Sequence, residues 1–580
     1  MEAGKRAEAL AAMRFGHEME INALEFIEAI IRLSQESSEI NYFKKLSLMA
    51  TSSPYLSGLM PEFESKILCL NKEPITELLF KIRKHLDLRD YQTVIDMVLS
   101  DPDLEKEAPV QRILATASFN SGLFDIAADA SRRVLEMEPN SHFDQIRLGD
   151  SLAAEGKSAA VKAYTNVLES GQLQPKIEAA GRLVEYYELA GDGEEALRCS
   201  QVANQQLALI NESLETRCSS TNNSGSNRRK IRVAHLINER ALREHTDVLE
   251  ALVRFYDREC FELIIYQQYD IYHPLTAQLK VQVDDWLETY LINDATLSHI
   301  IANDEIQMIV DWCGLAAGNR QLVLAAKPAS FNLGFLGLAS DRLGSVMNGQ
   351  ISFDEDTARS FHMDVPGAFG LSASLGNASK RVLSPIKDKT RVTFGGGCDL
   401  TRLAVSAEIW SRVLYAVPGS IILLGDIANV SDNIRKRVRE IFGKFGMEER
   451  CFIVDSGQRE ASRAHIYSNA DIVLDYTRHG DSYLVVGALE SETPVVCYDV
   501  ECGGPPRTNS ILSSIGLESY MAVNDEEFVK IAVKLASCDF DSSGIREQLI
   551  KKVANSRLAD PKQCIKSMEK AILDAWNSRV

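Results

Sequence analysis

Basic charge is what this sequence lacks most. Its 580 residues hold 63 lysines and arginines against 82 aspartates and glutamates, which gives a net charge of −19. Proteins that bind DNA or anionic membrane surfaces need basic patches that neutralise phosphates. The deficit argues against nucleic acid or a membrane surface as the main partner, although local basic clefts are still compatible with it.

Cysteine pairs, long apolar runs and an export signal are missing as well. The eleven cysteines include no Cys-x-x-Cys pair, and their scatter is typical of reduced thiols in a cytosolic protein rather than of a disulfide framework. No apolar run approaches the length of a membrane span, and the N-terminus lacks the apolar core of a signal peptide. The sequence therefore predicts a globular, cytoplasmic protein without a membrane span.

The N-terminal third contains a periodic pattern. Gly122, Gly156 and Gly191 are 34 and 35 residues apart, and each lies between two amphipathic stretches. Small residues, expected where helices cross closely, follow these glycines: Ala127, Ala130 and Ala196. A period of about 34 residues with a glycine turn is the tetratricopeptide pattern, whose stacked units bind peptides or proteins. Leu88 falls at the same phase and predicts a degenerate fourth unit.

The predicted secondary structure changes after "CSSTNNSGSNRRK", a Ser/Asn/Gly-rich stretch that has the composition of a linker. Buried-strand patterns then alternate with helical ones: "KIRVAHLI", "FELIIYQQY", "IQMIVDW", "SIILLGD", "CFIVD" and "DIVLDY". This alternation indicates parallel sheets covered by helices on both faces, with ligands at the carboxyl ends of the strands. A chain beginning at about residue 222 is expected to fold without the repeats.

The predicted organisation has four regions. They are a helical domain at 1–217 with tetratricopeptide-like repeats that are clearest at 110–209, a linker at 218–230, a first Rossmann-like lobe at 231–385, and a second lobe with a C-terminal helix at 386–580. Two such lobes in series would enclose a cleft for a ligand.

Two segments of the second lobe are candidates for binding a phosphate. "GGGCDLT" begins with Gly395, Gly396 and Gly397 between a predicted strand and a predicted helix, where glycines let backbone N–H groups approach a phosphate. It lacks the third glycine of the dinucleotide fingerprint, so a plain tight turn is an equal alternative. Further on, "HGDSYLVVG" follows the strand that ends near Asp475 and predicts a capped helix N-terminus pointing into the cleft.

Polar residues make this second segment the stronger candidate. Its candidate ligand-binding residues are His479, Gly480, Asp481, Ser482 and Tyr483. In the first lobe, His245 lies at the predicted start of a helix facing the same cleft, where it could act as a general base or as a hydrogen-bond partner.

Several segments together resemble the protein O-linked N-acetylglucosamine transferases. The stretch from 300 to 356 resembles the first transferase lobe of that family, and "SAEIWSRVLYAVPGSIILLG" and "NADIVLDYTRHGDSYLVVGALESETPVV" resemble the second. The resemblance implies a GT-B fold preceded by repeats, a nucleotide-sugar donor and a protein acceptor. It also places Thr401 at the family's donor-binding Lys, with Arg402 beside it, and Arg507 at an Arg that could reach the donor.

The chain departs from the family at the donor motifs. Asp481, Ser482, Tyr483 and Leu484 stand where the family has Gly-His-Thr-Thr, and only His245 survives of a His-Pro-x-x-His motif. Arg402 could replace the Lys cation, but its planar fork differs from a point charge. These departures leave the donor sugar open.

The resemblance implies a metal-independent protein O-glycosyltransferase, since in a GT-B enzyme a helix N-terminus and basic side chains neutralise the leaving phosphate. The repeats would recruit the acceptor, for which flagellin is the hypothesis, and no cofactor is expected beyond the nucleotide-sugar substrate. A catalytically inactive repeat adaptor and a transferase for cell-envelope glycans are the two alternatives.

Overall fold

A computed structural model provides the structure. It describes the following residues: 82, 85–86, 88–101, 106–170, 172–190, 192–215, 230–269, 274–290, 292–352, 360–363, 391–397, 402–425, 430, 432–454, 466, 469–475, 485, 487–489, 491–498, 508–537, 544–556 and 560–578.

The N-terminal part consists of stacked helical hairpins. Its helices are α1 (Tyr91–Leu99), α2 (Ala108–Asn120), α3 (Phe124–Met137), α4 (His142–Ala154), α5 (Ala159–Ser170), α6 (Leu173–Ala190) and α7 (Gly193–Glu215). Helices α2 and α3, α4 and α5, and α6 and α7 pack pairwise, and each pair packs on the next. The helical repeat pattern is confirmed.

Turn chemistry explains where the hairpins bend. Gly122 and Gly156 have φ of 74° and 73°, a left-handed conformation that glycine adopts at no steric cost. The alanines predicted at the helix crossings, Ala127, Ala130 and Ala196, are all buried. Gly191, the third glycine of the repeat, lies outside the described residues.

The first lobe is built on a seven-stranded parallel sheet. Its strands are β1 (Ile231–Ile237), β2 (Phe261–Gln267), β3 (Asp285–Glu288), β4 (Met308–Asp311), β5 (Phe331–Gly334), β6 (Gly349–Ser352) and β7 (Ser360–His362), in the order β3-β2-β1-β4-β5-β6-β7. Its helices are α8 (Glu239–Glu244), α9 (Thr246–Phe255), α10 (Pro274–Lys280), α11 (Asp294–Asn303) and α12 (Gln321–Ala325). Val233 to Ile237 of β1 are all buried, as expected of a central strand covered on both faces.

The second lobe repeats this winding in a six-stranded parallel sheet. Its strands are β8 (Thr393–Gly397), β9 (Ile421–Gly425), β10 (Cys451–Ile453), β11 (Ile472–Leu474), β12 (Val495–Tyr498) and β13 (Met521–Ala522), in the order β10-β9-β8-β11-β12-β13. Its helices are α13 (Leu403–Ala416), α14 (Asp432–Gly443), α15 (Thr508–Ser514), α16 (Asp525–Ala536) and α17 (Ile545–Ala554). Helical hairpins followed by two doubly wound parallel sheets are the predicted fold class, which is confirmed.

The last helix, α18 (Pro561–Asn577), returns to the first lobe. It packs against α9, β6 and β7, and its residues Cys564, Met568 and Ile572 are buried in the core of that lobe. The Glu569 carboxylate also accepts a hydrogen bond from the backbone N–H of Asp257. The chain end thus joins the first lobe, although it follows the second lobe in sequence.

The repeats and the first lobe share one apolar core. A single cluster joins Ala180, Leu183 and Val184 of α6 to Leu315 and Leu343 of the first lobe. This continuity does not fit the expectation that a chain beginning at residue 222 folds alone, because such a chain would expose the first-lobe residues of that core. Within the described part of the chain, no helix is long and apolar enough to cross a membrane.

Candidate functional site

Each sheet has one point where its strand order reverses. In the first lobe it lies between β1 and β4, whose Ala234 and Ile309 are paired in parallel. In the second lobe it lies between β8 and β11, where Phe394 pairs with Ile472. Ligands of doubly wound sheets bind at the carboxyl ends of the strands at such points. The loops after these four strands are therefore the place to look for a site.

One face of helix α6 brings two of these loops together. An ideal Cβ on Gly181 would lie 2.0 Å from the carbonyl oxygen of Leu315, so α6 lies directly on the loop after β4. One turn later, Glu185 accepts a hydrogen bond of 2.9 Å from Nη2 of Arg402, which precedes α13 just beyond β8. Four residues of helix rise about 6 Å. The carboxyl ends of β4 and β8, in different lobes, therefore approach the same stretch of one repeat helix.

The three glycines of the predicted phosphate loop lie inside strand β8, which corrects the predicted strand end. Gly395 pairs with Leu423 and Val473 of the flanking strands. A Cβ on Gly395 would meet Ile466 at 2.5 Å, and one on Gly396 would meet the Trp410 ring at 2.9 Å. Close packing of helices on the sheet accounts for these two glycines.

Gly397 is the last residue of β8 and thus the glycine nearest to the edge where a ligand would bind. Only its position favours a ligand contact, since it is buried with the rest of the strand. The predicted donor contact of these glycines stays a prediction.

Arg402 forms an interdomain ion pair. Its side chain is 13% exposed, that of Glu185 is 27% exposed, and the two residues are 217 positions apart in sequence. Arg402 occupies the N-cap position of α13, where a side chain lies beside the positive end of the helix dipole. The cation that the resemblance assigns to the donor is therefore already in contact with the repeats.

Sequence reasoning did not identify the loop after β4 as part of the site. The buried carboxylate of Asp311 accepts hydrogen bonds of 3.0 Å from the N–H groups of Cys313 and Gly314 and one of 2.9 Å from the Gln321 amide. Burial raises the pKa of Asp311, and these hydrogen bonds counter part of the shift. An acid at a strand end, in the sequence "DWCG", was the available signal, because such a carboxylate can accept hydrogen bonds from the first N–H groups of a loop.

A second contact fixes this loop from the other side. Gly314 bridges to Leu338 in the loop after β5, and a Cβ on Gly337 would lie 2.5 Å from the Gly314 nitrogen. Asn238, after β1, accepts a hydrogen bond from Ala241 N–H and donates one to the Ala317 carbonyl, both at 2.9 Å. Hydrogen bonds thus connect the loops that follow β1, β4 and β5 to one another at the carboxyl end of the sheet.

His245 lies between α8 and α9 and is the N-cap residue of α9, so the predicted helix start at this histidine is confirmed. Its backbone N–H donates to the Ala241 carbonyl at 3.0 Å and its own carbonyl accepts from Leu249, so it ends one helix and begins the next. The residue is 8% exposed. Its predicted catalytic role stays a prediction.

The other candidates of the second lobe lie outside the described residues: Thr401, His479, Gly480, Asp481, Ser482, Tyr483 and Arg507. Asp475 is described. It follows β11 directly, is buried, and its backbone N–H donates to the Val496 carbonyl at 2.9 Å. Across the described ranges, no three His, Cys, Asp or Glu side chains are grouped so that they could hold a metal ion.

Comparisons with known proteins agree with this architecture. No family model matches the chain. It is 23% identical over 341 residues to the probable UDP-N-acetylglucosamine–peptide N-acetylglucosaminyltransferase SPINDLY of Petunia hybrida, and 22% identical over 346 residues to the protein of that name from Arabidopsis thaliana. Each alignment covers 57% of this chain and 37% of the relative. The chain thus spans little more than a third of the length of these curated relatives.

A solved structure shows the same fold over most of the chain. The O-GlcNAc transferase of Thermobaculum terrenum, solved as a mutant, superposes with a TM-score of 0.67 at 18% identity, covering 87% of this chain and 97% of that one. The fold is therefore of the GT-B class, with helical repeats in front of two Rossmann-like lobes. The resemblance to the protein O-linked N-acetylglucosamine transferases is confirmed by this fold and by the SPINDLY relatives.

Proposed function

We propose that this protein is a glycosyltransferase that moves a sugar from a nucleotide-sugar donor to Ser or Thr of a protein acceptor recruited by its repeats. The observation that carries the proposal is the meeting of three elements at one place. Helix α6 of the repeats touches the loop after β4 through Gly181 and the start of α13 through Arg402. An acceptor held by the repeats would thus lie beside the strand ends where a donor binds.

The donor is assigned to the second lobe. Gly397 and Arg402 are the described residues proposed to face it, with Gly395 and Gly396 supporting the strand behind them. Residues outside the described ranges complete the assignment: Thr401, His479, Gly480, Asp481, Ser482, Tyr483 and Arg507. His245 of the first lobe is the proposed catalytic group on the acceptor side. The likeness to SPINDLY proteins supports sugar transfer from a nucleotide-sugar donor to a peptide, since their name states that reaction.

The first test measures the thermal stability of the full chain with each of a panel of nucleotide sugars. A ligand at 100 times its dissociation constant adds about 2.7 kcal/mol to the free energy of unfolding, which a thermal shift detects. The donor that stabilises the protein is then incubated with candidate acceptors, flagellin among them, and the products are weighed by mass spectrometry. A sugar added to protein supports the proposal. Stabilisation by no nucleotide sugar would indicate an inactive adaptor, and a sugar added to a glycan instead of a protein would indicate a cell-envelope transferase.

Metal independence and a cytoplasmic location are parts of the same proposal. The leaving phosphate would be neutralised by a helix N-terminus and basic side chains rather than by a metal ion. Transfer that continues at full rate in a chelating buffer supports this, and transfer restored only by a divalent cation contradicts it. Cell fractionation locates the protein.

One substitution tests the donor segment directly. Ser482→Asp introduces a negative charge into the segment proposed to receive the donor's phosphates, so nucleotide-sugar affinity should fall while the melting temperature is kept. Ser482→Ala is the matched uncharged control. Unchanged affinity in Ser482→Asp would remove this segment from the donor site.

A further inference from the structure

Glu185 is a residue of the repeats that contacts the donor side of the transferase. Its carboxylate accepts one hydrogen bond of 2.9 Å from the Arg402 guanidinium, and both side chains are more than two-thirds buried. A hydrogen bond between two ionised groups is shorter and stronger than one between neutral groups. The contact also joins the repeats to the second lobe across 217 positions of sequence.

The support behind Glu185 is rigid. On the same face of α6, Gly181 lies against Leu315, and Glu188 lies 3.6 Å from Arg342 of the first lobe. On another face, Arg182 donates to Asp150 of α4 at 2.8 Å. Burial alone would lower the pKa of Arg182, but Asp150 and Glu178 outweigh it and raise that pKa above its ordinary value. Glu185 is therefore presented by a helix that is fixed on both sides.

The partner of Glu185, in contrast, is a long side chain. An arginine loses up to about 2 kcal/mol of rotamer entropy when its guanidinium is fixed. An anion that binds Arg402 must meet this cost unless a neighbour has already oriented the group. A carboxylate on a rigid helix provides such an orientation before any ligand arrives.

We propose that Glu185 is a positioning residue for Arg402, so that the anion site at the start of α13 is complete only when the repeats are docked. The anion is the diphosphate of the donor, and in this respect the inference rests on the proposed function. The repeats would then do more than hold an acceptor, because they would supply a residue that sets donor affinity.

The opposite arrangement makes the opposite prediction. If Glu185 competed with the donor for the Arg402 guanidinium, removing its charge would strengthen donor binding. If Glu185 orients Arg402, Glu185→Gln should weaken binding by about five- to tenfold, the lower range of typical coupling between two sites. The sign of the change in affinity therefore separates positioning from competition.

The experiment measures the affinity of the full chain for uridine, guanosine, thymidine and adenosine diphosphates by calorimetry. Four proteins are compared: wild type, Glu185→Gln, Arg402→Gln and the double variant. If Glu185 acts through Arg402, Glu185→Gln should have no further effect in the Arg402→Gln background. Glu188→Gln is the matched control, because it removes an interdomain ion pair from the same helix without touching Arg402.

Each result decides the inference. Weaker binding in Glu185→Gln, absent in the Arg402→Gln background and not reproduced by Glu188→Gln, supports positioning. Equal or tighter binding in Glu185→Gln overturns it and leaves the proposed function standing. Weakening that persists in the Arg402→Gln background, or that Glu188→Gln reproduces, also overturns it, since the loss would then be a general effect of the interface. If wild type binds none of the four diphosphates, the proposed function falls and the inference with it.

Discussion

The repeats contact the two lobes in different ways. Against the first lobe they form an apolar interface, in which Leu183 and Val184 of α6 and Leu207 of α7 belong to one cluster with Leu315. Against the second lobe they form polar contacts: Arg402 with Glu185 at 2.9 Å, and Asn433 with Gln92 of α1 at 2.8 Å. The apolar clusters of the second lobe are drawn from residues 392–553 in the described ranges.

This difference divides the molecule into a fixed and a releasable part. Apolar burial is non-directional and is lost only when area is exposed again, whereas an ion pair can exchange partners at little cost. The repeats and the first lobe should therefore behave as one body, and the second lobe should be able to move relative to it. Donor binding between the lobes would act on the polar contact.

The largest effect is expected from cutting the apolar contact. A chain that begins at residue 222 lacks α6 and α7 and would expose Leu315, Val323 and Leu343 of the first lobe. We expect it to aggregate or to lose its cooperative unfolding transition, as followed by circular dichroism and size-exclusion chromatography. Adding residues 82–217 as a separate chain should restore part of the fold. A chain from 222 that unfolds cooperatively by itself would contradict a shared core.

A single methyl group should have the next largest effect. Gly181→Ala places a Cβ where the Leu315 carbonyl oxygen is 2.0 Å away, so α6 or the loop after β4 must shift. We expect a loss of about 3 kcal/mol in the free energy of unfolding, at the upper end of typical overpacking costs. Urea denaturation measures it.

Gly193→Ala is the matched control, because no atom lies within 4 Å of the position its Cβ would take. It should be neutral or slightly stabilising, since alanine is the better helix former. Equal losses in the two variants would show that the contact between α6 and the first lobe is not tight.

How far the sequence predicts this architecture depends on the range of each interaction. Glycine at a fixed phase and apolar runs of strand length are local signals, so the hairpins around Gly122 and Gly156 and the strands at 231–237 and 421–425 were predictable. The end of β8 was predicted too early, because its glycines are set by Trp410 and Ile466 packing on the sheet. A local rule cannot detect that tertiary demand.

The candidate site was less predictable for the same reason. Glu185 and Arg402 are 217 positions apart, and no local sequence motif predicts that they are in contact. Asp311 was visible as an acid at a strand end, but its partners Cys313, Gly314 and Gln321 are defined only by how the loop folds back. Interdomain contacts depend on how the domains dock, and local periodicity carries no information about docking.

Acidic pH should destabilise the first lobe because His235 is buried in its neutral form. This buried histidine accepts a hydrogen bond of 2.9 Å from Trp312 Nε1, and burial lowers its pKa to about 3. A histidine with a lowered folded-state pKa contributes stability that is present above its unfolded pKa of about 6.5 and is lost as the pH falls. Between about pH 6 and pH 4 this residue should remove about 1.4 kcal/mol per pH unit, as an upper limit.

His235→Gln isolates this contribution, because glutamine offers an acceptor to Trp312 but does not titrate. The difference between wild type and variant in the free energy of unfolding should fall with pH between about 6 and 4. Parallel pH curves for the two proteins would contradict it. His235 lies in the core of the first lobe, so this pH dependence reports on the fixed part of the molecule and not on the polar contact between Arg402 and Glu185.

The smallest effect in free energy is expected at the polar contact itself. Glu185→Gln removes the charge that meets Arg402, and a partly exposed ion pair contributes about 1 kcal/mol or less. The melting temperature should therefore hardly change.

Locally, however, 1 kcal/mol is about a fivefold change in an opening equilibrium, which hydrogen exchange resolves. Amides at the start of α13, near Leu403 to Ser406, should exchange up to about fivefold faster, while those of β1 keep their wild-type rates. In Gly181→Ala, exchange should instead rise in the loop around Leu315, since the apolar contact is the one disturbed. Were β1 and α13 to accelerate together in Glu185→Gln, the two contacts would depend on each other, and the division into a fixed and a releasable part would be wrong.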